Sequence, residues 1–251
     1  MVCGVVVQHE TSEHIVCIDM MFPFPKAALS YPLLSICMST MSSALSTSAA
    51  SKRRIAAIAQ LRSTSSKYRN LLDVAHCARL AKLEGASMLF LPECFGFMGE
   101  SSEQTLKNAE QPIMDGTTNN DERISLALRR MIEDNEAPDS GCPTADETEI
   151  SLIDGLRIIA RESGLWISGG GMHVIGGPPD EKTGRKRVQN THVIMDSSGD
   201  VKCAYQKIHL FDVSIPGKVE LRESATTAPG TNLVVCDSPL GKLCLRKSRT
   251  F

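Results

Sequence analysis

Short apolar runs alternate with longer stretches of helical periodicity along most of this chain. RIAAIAQ, from Arg54 to Gln60, is an apolar run of buried-strand length. From Ser66 to Glu84, Leu71, Leu72, Ala75, Ala78 and Leu83 recur at helical spacing, and Gly85 supplies a stop. A second buried strand opens at Ser87 in SMLFLPE. Strand, helix and strand of these lengths predict a βαβ unit and a largely parallel sheet.

The device repeats further on. A helix through Leu156 to Ser163 is stopped by Gly164, and a strand begins at Leu165. The rhythm then changes to two antiparallel strands, Asn190 to Asp196 and Val201 to Gln206, joined by a Ser-Ser-Gly-Asp turn. A last short strand fits Leu233 to Cys236, after which Asp237, Ser238 and Pro239 turn the chain into GKLCL.

Two stretches break the pattern. Between Gly116 and Glu149 the chain is rich in Asp, Glu, Asn and Thr, with Pro138, Gly141 and Pro143 in the middle. An acidic, solvated surface insertion at about 117–149 is expected there, with room for one amphipathic helix over Ile124, Leu128, Met131 and Ile132. The first 53 residues are expected to form a disordered or transit-like extension ahead of a domain spanning 54–251. From Met20 to Arg54 there is no Asp or Glu, Ser, Thr and Ala dominate, and the stretch ends in SKRR. Glu10, Glu13 and Asp19 speak against a transit peptide.

Composition narrows the function classes. A length of 251 residues suits one large domain with appendages, and a net charge of −2 makes no case for nucleic acid or an anionic membrane as partner. An aromatic share of 4% argues against base-stacking platforms. No apolar run reaches the about 18 residues of a membrane-spanning helix. The nine cysteines contain no CxxC pair, which excludes the commoner zinc layouts and looks unlike a secreted disulfide framework. Reduced thiols in the cytoplasm or an organelle such as a mitochondrion or chloroplast are expected, with no metal and no cofactor.

The chemistry is carried by two motifs. LPECFGFMG, from Leu91 to Gly99, places Glu93 at the end of an apolar strand, and YQKIHLFDV, from Tyr205 to Val213, delivers Lys207. Hydrolysing an amide or nitrile needs a nucleophile, a base to deprotonate it, and a positive group where oxyanion charge develops. A carboxylate and a lysine at strand ends can supply the last two, although each alone also occurs by chance in α/β proteins. The order FLPE–CFGFMG, GLWISGG, YQKIHLFDVSIPGKVELRES and APGT resembles the nitrilase superfamily of carbon–nitrogen hydrolases over about Arg54 to Leu245. KIHLFDV and IPG with a downstream ES look most like the deaminated glutathione amidase branch, with ω-amidase beside it.

The resemblance implies an α/β fold, a nitrilase-type α-β-β-α sandwich, incomplete at its C-terminal end. It makes Glu93 the general base, Lys207 the oxyanion-stabilising cation, and Glu223 in LRES a carboxylate that positions lysine and substrate. It also implies a small-molecule amide substrate, no nucleic acid or membrane partner, and a homo-oligomer when the domain is complete. Family members place a cysteine nucleophile shortly after a strand reading GKLGL. Counted from GKLCL, Ser248 falls in that register, flanked by Arg246, Lys247 and Arg249, and an unactivated hydroxyl is no substitute for a thiol. Cys236 precedes GKLCL and reads as a small buried strand residue, Cys94 would point away from Glu93 if the strand continued, and Cys244 is expected in the core. A truncated and inactive amidase is therefore expected. Alternatives are a non-catalytic subunit pairing with a full-length homologue, and a nucleotide-binding module around Gly169-Gly170-Gly171. The glycine run opens no helix and matches no phosphate-loop pattern.

Overall fold

The computed structural model describes residues 6–7, 14–19, 54–112, 122–136, 146–215 and 219–245. Two strands lie in the N-terminal extension, β1 (Val6–Val7) and β2 (His14–Asp19). They are the described part of the first 53 residues, for which a disordered or transit-like extension is expected. HIVCID is rich in β-branched residues, which favour extended backbone, and it pairs in parallel with β3 (Ile55–Gln60).

The predicted βαβ unit is present. It runs from β3 through α1 (Lys67–Leu83) to β4 (Met88–Phe90), with β3 and β4 parallel. Ser66 caps α1 by accepting from the Arg69 N–H. Gly85 after α1 and Gly164 after the later helix α4 (Leu152–Ser163) both take the left-handed conformation, at φ 72° and 70°, that ends helices cleanly. The short α2 (Ser102–Lys107) and α3 (Glu122–Glu133) lie between. β5 (Trp166–Ile175) pairs in parallel with β4, and β6 (Val188–Met195) and β7 (Val201–Gln206) complete the sheet as an antiparallel hairpin. The six-stranded order is β2-β3-β4-β5-β6-β7.

α3 is the amphipathic helix for which the acidic stretch has room, but its apolar face is not solvated. Ile124, Ala127, Leu128, Met131 and Ile132 are all buried, and they join α1 and α4 in one core cluster against the sheet. The acidic residues around them decided the surface expectation, but a helix needs only one apolar face to join a core. Residues 113–121 and 137–145 of that stretch lie outside the described residues.

The other face of the large sheet is covered by β10 (Val234–Ser238) and β11 (Gly241–Leu245), an antiparallel pair to which β1 adds. Alternation sorts the side chains between two cores. Leu89, Ile167 and Val193 face the helices, whereas Met88, Phe90, Ile194 and Tyr205 meet Cys236, Leu243 and Leu245 between the sheets. Helix, sheet and sheet are thus three layers of the expected sandwich among the described residues. A separate ribbon of β8 (Asp212–Ile215) and β9 (Val219–Arg222) leads into Glu223.

Alternation also corrects one cysteine. Cys244 lies between the inward Leu243 and Leu245 and is exposed, not packed in the core. Cys236 is buried between the sheets, where its thiol donates to the Asp237 carbonyl at 3.3 Å.

Candidate functional site

Glu93 stands on a turn rather than on a strand. β4 ends at Phe90, and the chain bends through Leu91, Pro92, Glu93 and Cys94, with Cys94 in the left-handed region at φ 58°. Because the strand has already stopped, strand alternation does not set the direction of Cys94. Such a conformation is uncommon for a residue with a Cβ and persists only where its surroundings hold it. Here the Leu91 N–H donates to Ser168 O at 2.9 Å and the Cys94 N–H to Gly171 O at 2.8 Å. The loop after β3 and the first turn of α1 grip the far side: the Ser63 hydroxyl donates to Phe95 O at 3.2 Å, and Asn70 Nδ2 to Gly96 O at 2.8 Å.

This close packing explains the glycine run, which lies inside β5. A Cβ on Gly170 would sit 2.0 Å from Pro92 O, and one on Gly171 would sit 2.3 Å from Asn190 Oδ1 and 3.2 Å from Glu93 Cγ. The glycines let the Glu93 turn lie against the sheet, and a nucleotide-binding role for them is set aside.

Lys207 follows the last residue of β7. Its N–H donates to Asn190 O at 2.9 Å, and its own carbonyl accepts from Gly230 N–H at 2.9 Å, so both neighbours hold the backbone. Its Nζ reaches Glu93 Oε1 at 3.0 Å and the two oxygens of Glu223 at 2.7 and 2.5 Å. Glu223 Oε2 also accepts from the Phe211 N–H at 2.7 Å. Glu93, Lys207 and Glu223, over a hundred residues apart at the extremes, therefore meet in one cluster. Ser248 lies outside the described residues.

The sequence reading missed Asn190, whose Nδ2 donates to Glu93 Oε1 at 2.7 Å and to Glu223 Oε1 at 3.4 Å. It also missed two histidines on the same sheet face. His173 pairs across the strands with Asn190, and His192 with Gly171. Burial lowers the His173 pKa, against the opposing pull of Glu223 and Glu93. Burial also pushes His192 down to about 4, against Glu93, so His192 is neutral and bonds Ser168 Oγ through Nε2 at 2.8 Å. A signal was available: Asn190 and His192 stand two apart in a strand, hence on one face, within a polar run from Gln189 to His192 that breaks the apolar pattern. His173, Cys94, Asn108 and Thr105 help line a cavity of about 10 Å³, room for one water.

The other described thiols lie apart from this chemistry. Burial pushes both Cys77 and Cys203 up to about 12, far from thiolate at neutral pH. Among the described residues no cluster of three His, Cys, Asp or Glu is placed to hold a metal, and no helix is long and apolar enough to cross a membrane.

A carboxylate on the turn after β4, a buried lysine and a second carboxylate thus lie within hydrogen-bonding distance of one another. The carbon–nitrogen hydrolase family model matches residues 55–246. The chain belongs to the carbon–nitrogen hydrolase family. Its architecture is accordingly the nitrilase-type α/β fold. The deaminated glutathione amidase of Bos taurus is 33% identical over 192 residues, 76% of this chain and 47% of that protein. The enzyme of the same name from Dictyostelium discoideum is 31% identical over 193 residues, 75% of this chain and 53% of that protein. The crystal structure of the C. elegans NitFhit protein aligns with 72% of this chain and 34% of its own, at 27% identity and a TM-score of 0.45. The chain spans about half the length of the amidases it matches.

Proposed function

We propose that this chain carries the base, the cation and the positioning carboxylate of an amidase acting on small ω-amides such as deaminated glutathione. One observation carries the proposal: a single lysine ammonium sits within hydrogen-bonding distance of two carboxylates at the sheet edge. In the reaction so assigned, Glu93 takes the proton of a thiol, and the thiolate attacks the amide carbon. Lys207 stabilises the oxyanion, and ammonia leaves with the proton that Glu93 returns. Water, deprotonated by Glu93, then cleaves the thioester. Glu223 holds the lysine amine in place throughout.

The nucleophile's register falls on Ser248, so the sequence as it stands is expected to release no ammonia from deaminated glutathione. Loss of a covalent nucleophile typically removes several orders of magnitude of rate. Supplying a family-like continuation after Leu245, cysteine included, should yield hydrolysis that Glu93→Gln or Lys207→Ala abolishes. Turnover that survives loss of Glu93 in the extended protein would overturn the assignment of the base. A thioester trapped on Cys94 or Cys236 of the present chain would overturn its expected inactivity.

A further inference from the structure

Resting on that hydrolase reading, we infer that Asn190 is a positioning residue of the site, whose amide spans the two carboxylates sharing Lys207 and holds Glu93 against the lysine. One ammonium between two carboxylates leaves a net negative charge in a largely buried cluster. Glu223 binds the ammonium with both oxygens and takes the Phe211 N–H as well. Glu93 meets the ammonium through Oε1, at the longer distance of 3.0 Å. Like charge on Glu223 pushes Glu93 outward, and the repulsion is strong where water is scarce.

Asn190 supplies the opposing pull. Its Nδ2 lies 2.7 Å from Glu93 Oε1, closer than the lysine, and 3.4 Å from Glu223 Oε1. The orientation of the amide follows from chemistry: an ionised carboxylate only accepts, so the NH₂ group must face both. Two N–H bonds on one neutral nitrogen can serve two anions without adding charge. An aspartate would add a third anion, and a lysine would compete with Lys207. The backbone reinforces this placement, because Asn190 O receives the Lys207 N–H at 2.9 Å. Asn190 is itself 5% exposed, so its amide is not spent on water.

The test uses the whole chain, labelled with ¹⁵N and with ¹³C at the glutamate carboxyls, and reads no turnover. In the unaltered protein the Asn190 side-chain N–H pair should exchange at least about tenfold more slowly than exposed asparagine amides, as a bond to a charged acceptor implies. Glu93→Gln should erase that protection, and Glu223→Gln should leave most of it. Conversely, Asn190→Ala and the uncharged, similarly sized Asn190→Leu should both shift the Glu93 carboxyl resonance at pH 7, while backbone signals remote from the site stay in place. An amide that merely ties strands together would lower stability in these variants and leave the Glu93 resonance alone. Should the alanine variant fail to fold, the leucine variant and the loss of Asn190 N–H protection in Glu93→Gln decide. Protection indifferent to Glu93→Gln, or a Glu93 resonance unmoved by the Asn190 substitutions, overturns the inference. A chain that hydrolyses nothing can still pass, so this outcome is separable from the fate of the proposed activity.

Discussion

Two buried lysines among the described residues bind carboxylates, and only one of them sits in the candidate site. Lys67 opens α1 with its side chain 2% exposed, donating to Glu110 Oε1 at 2.7 Å and to Ile150 O at 2.9 Å. The other oxygen of Glu110 accepts from the Leu152 N–H at the start of α4. One cation meets one anion, backbone groups bond each of them, and no net charge is left over. Lys207 is nearly as buried, but it serves two carboxylates whose side chains remain 12% and 17% exposed. The first arrangement is neutral and closed, so it locks helices to the sheet. The second places two carboxylates on one ammonium and leaves both partly open to solvent.

The sharpest way to break this comparison is to remove the cation from the closed pair. Lys67→Met strands a carboxylate that is 4% exposed and should cost about 3–5 kcal/mol in urea unfolding, whereas Lys67→Met with Glu110→Leu should recover most of that loss. If the double variant is no better than the single, the pair is not the closed unit described.

Acid should act next, on the side of Lys207. His192 is held neutral down to about 4, while in the unfolded chain it protonates near the ordinary 6.5. Protons thus bind preferentially to the unfolded state between those values. Stability is full above pH 6.5 and falls as pH drops toward 4, by up to about 3 kcal/mol from this residue. Unfolding midpoints at pH 7, 5.5 and 4 should slope less steeply in His192→Asn than in the unaltered chain.

Lys207→Met should cost less than Lys67→Met, about 1–2 kcal/mol at pH 7. Its carboxylates keep the donors Asn190 and Phe211 N–H, and their exposure admits water. A loss equal to that at Lys67 would erase the distinction between the two clusters. At the bottom of the scale, Lys242→Ala removes an exposed pair with Asp237 on β11 and should leave the melting temperature unchanged.

Legibility in the sequence followed the range of the cause. Helix α1 and the strands around it could be read because their apolar spacing, Ser66 and Gly85 act within a few residues. Glu93, Lys207 and Glu223 could be named because motif wording around each is local. Asn190 could not be paired with Glu93, since 97 residues separate them and only the β5–β6 register brings them together. The apolar face of α3 could be read as well, but its burial could not. Its acidic neighbours dominate the local composition, and whether Ile124 and Leu128 are covered depends on α1 and α4.

By itself, then, the sequence determined α1, α4 and the apolar face of α3, most strands of the large sheet, and the residue types around Glu93 and Lys207. These depend on periodicity, capping and turn chemistry, all written in adjacent residues. Only the tertiary structure decided that Lys207 is shared by two carboxylates, that Asn190 bridges them, and that the glycines of β5 admit the turn bearing Glu93. Those facts depend on distances between segments far apart in the chain, which strand order and register set and local sequence does not encode.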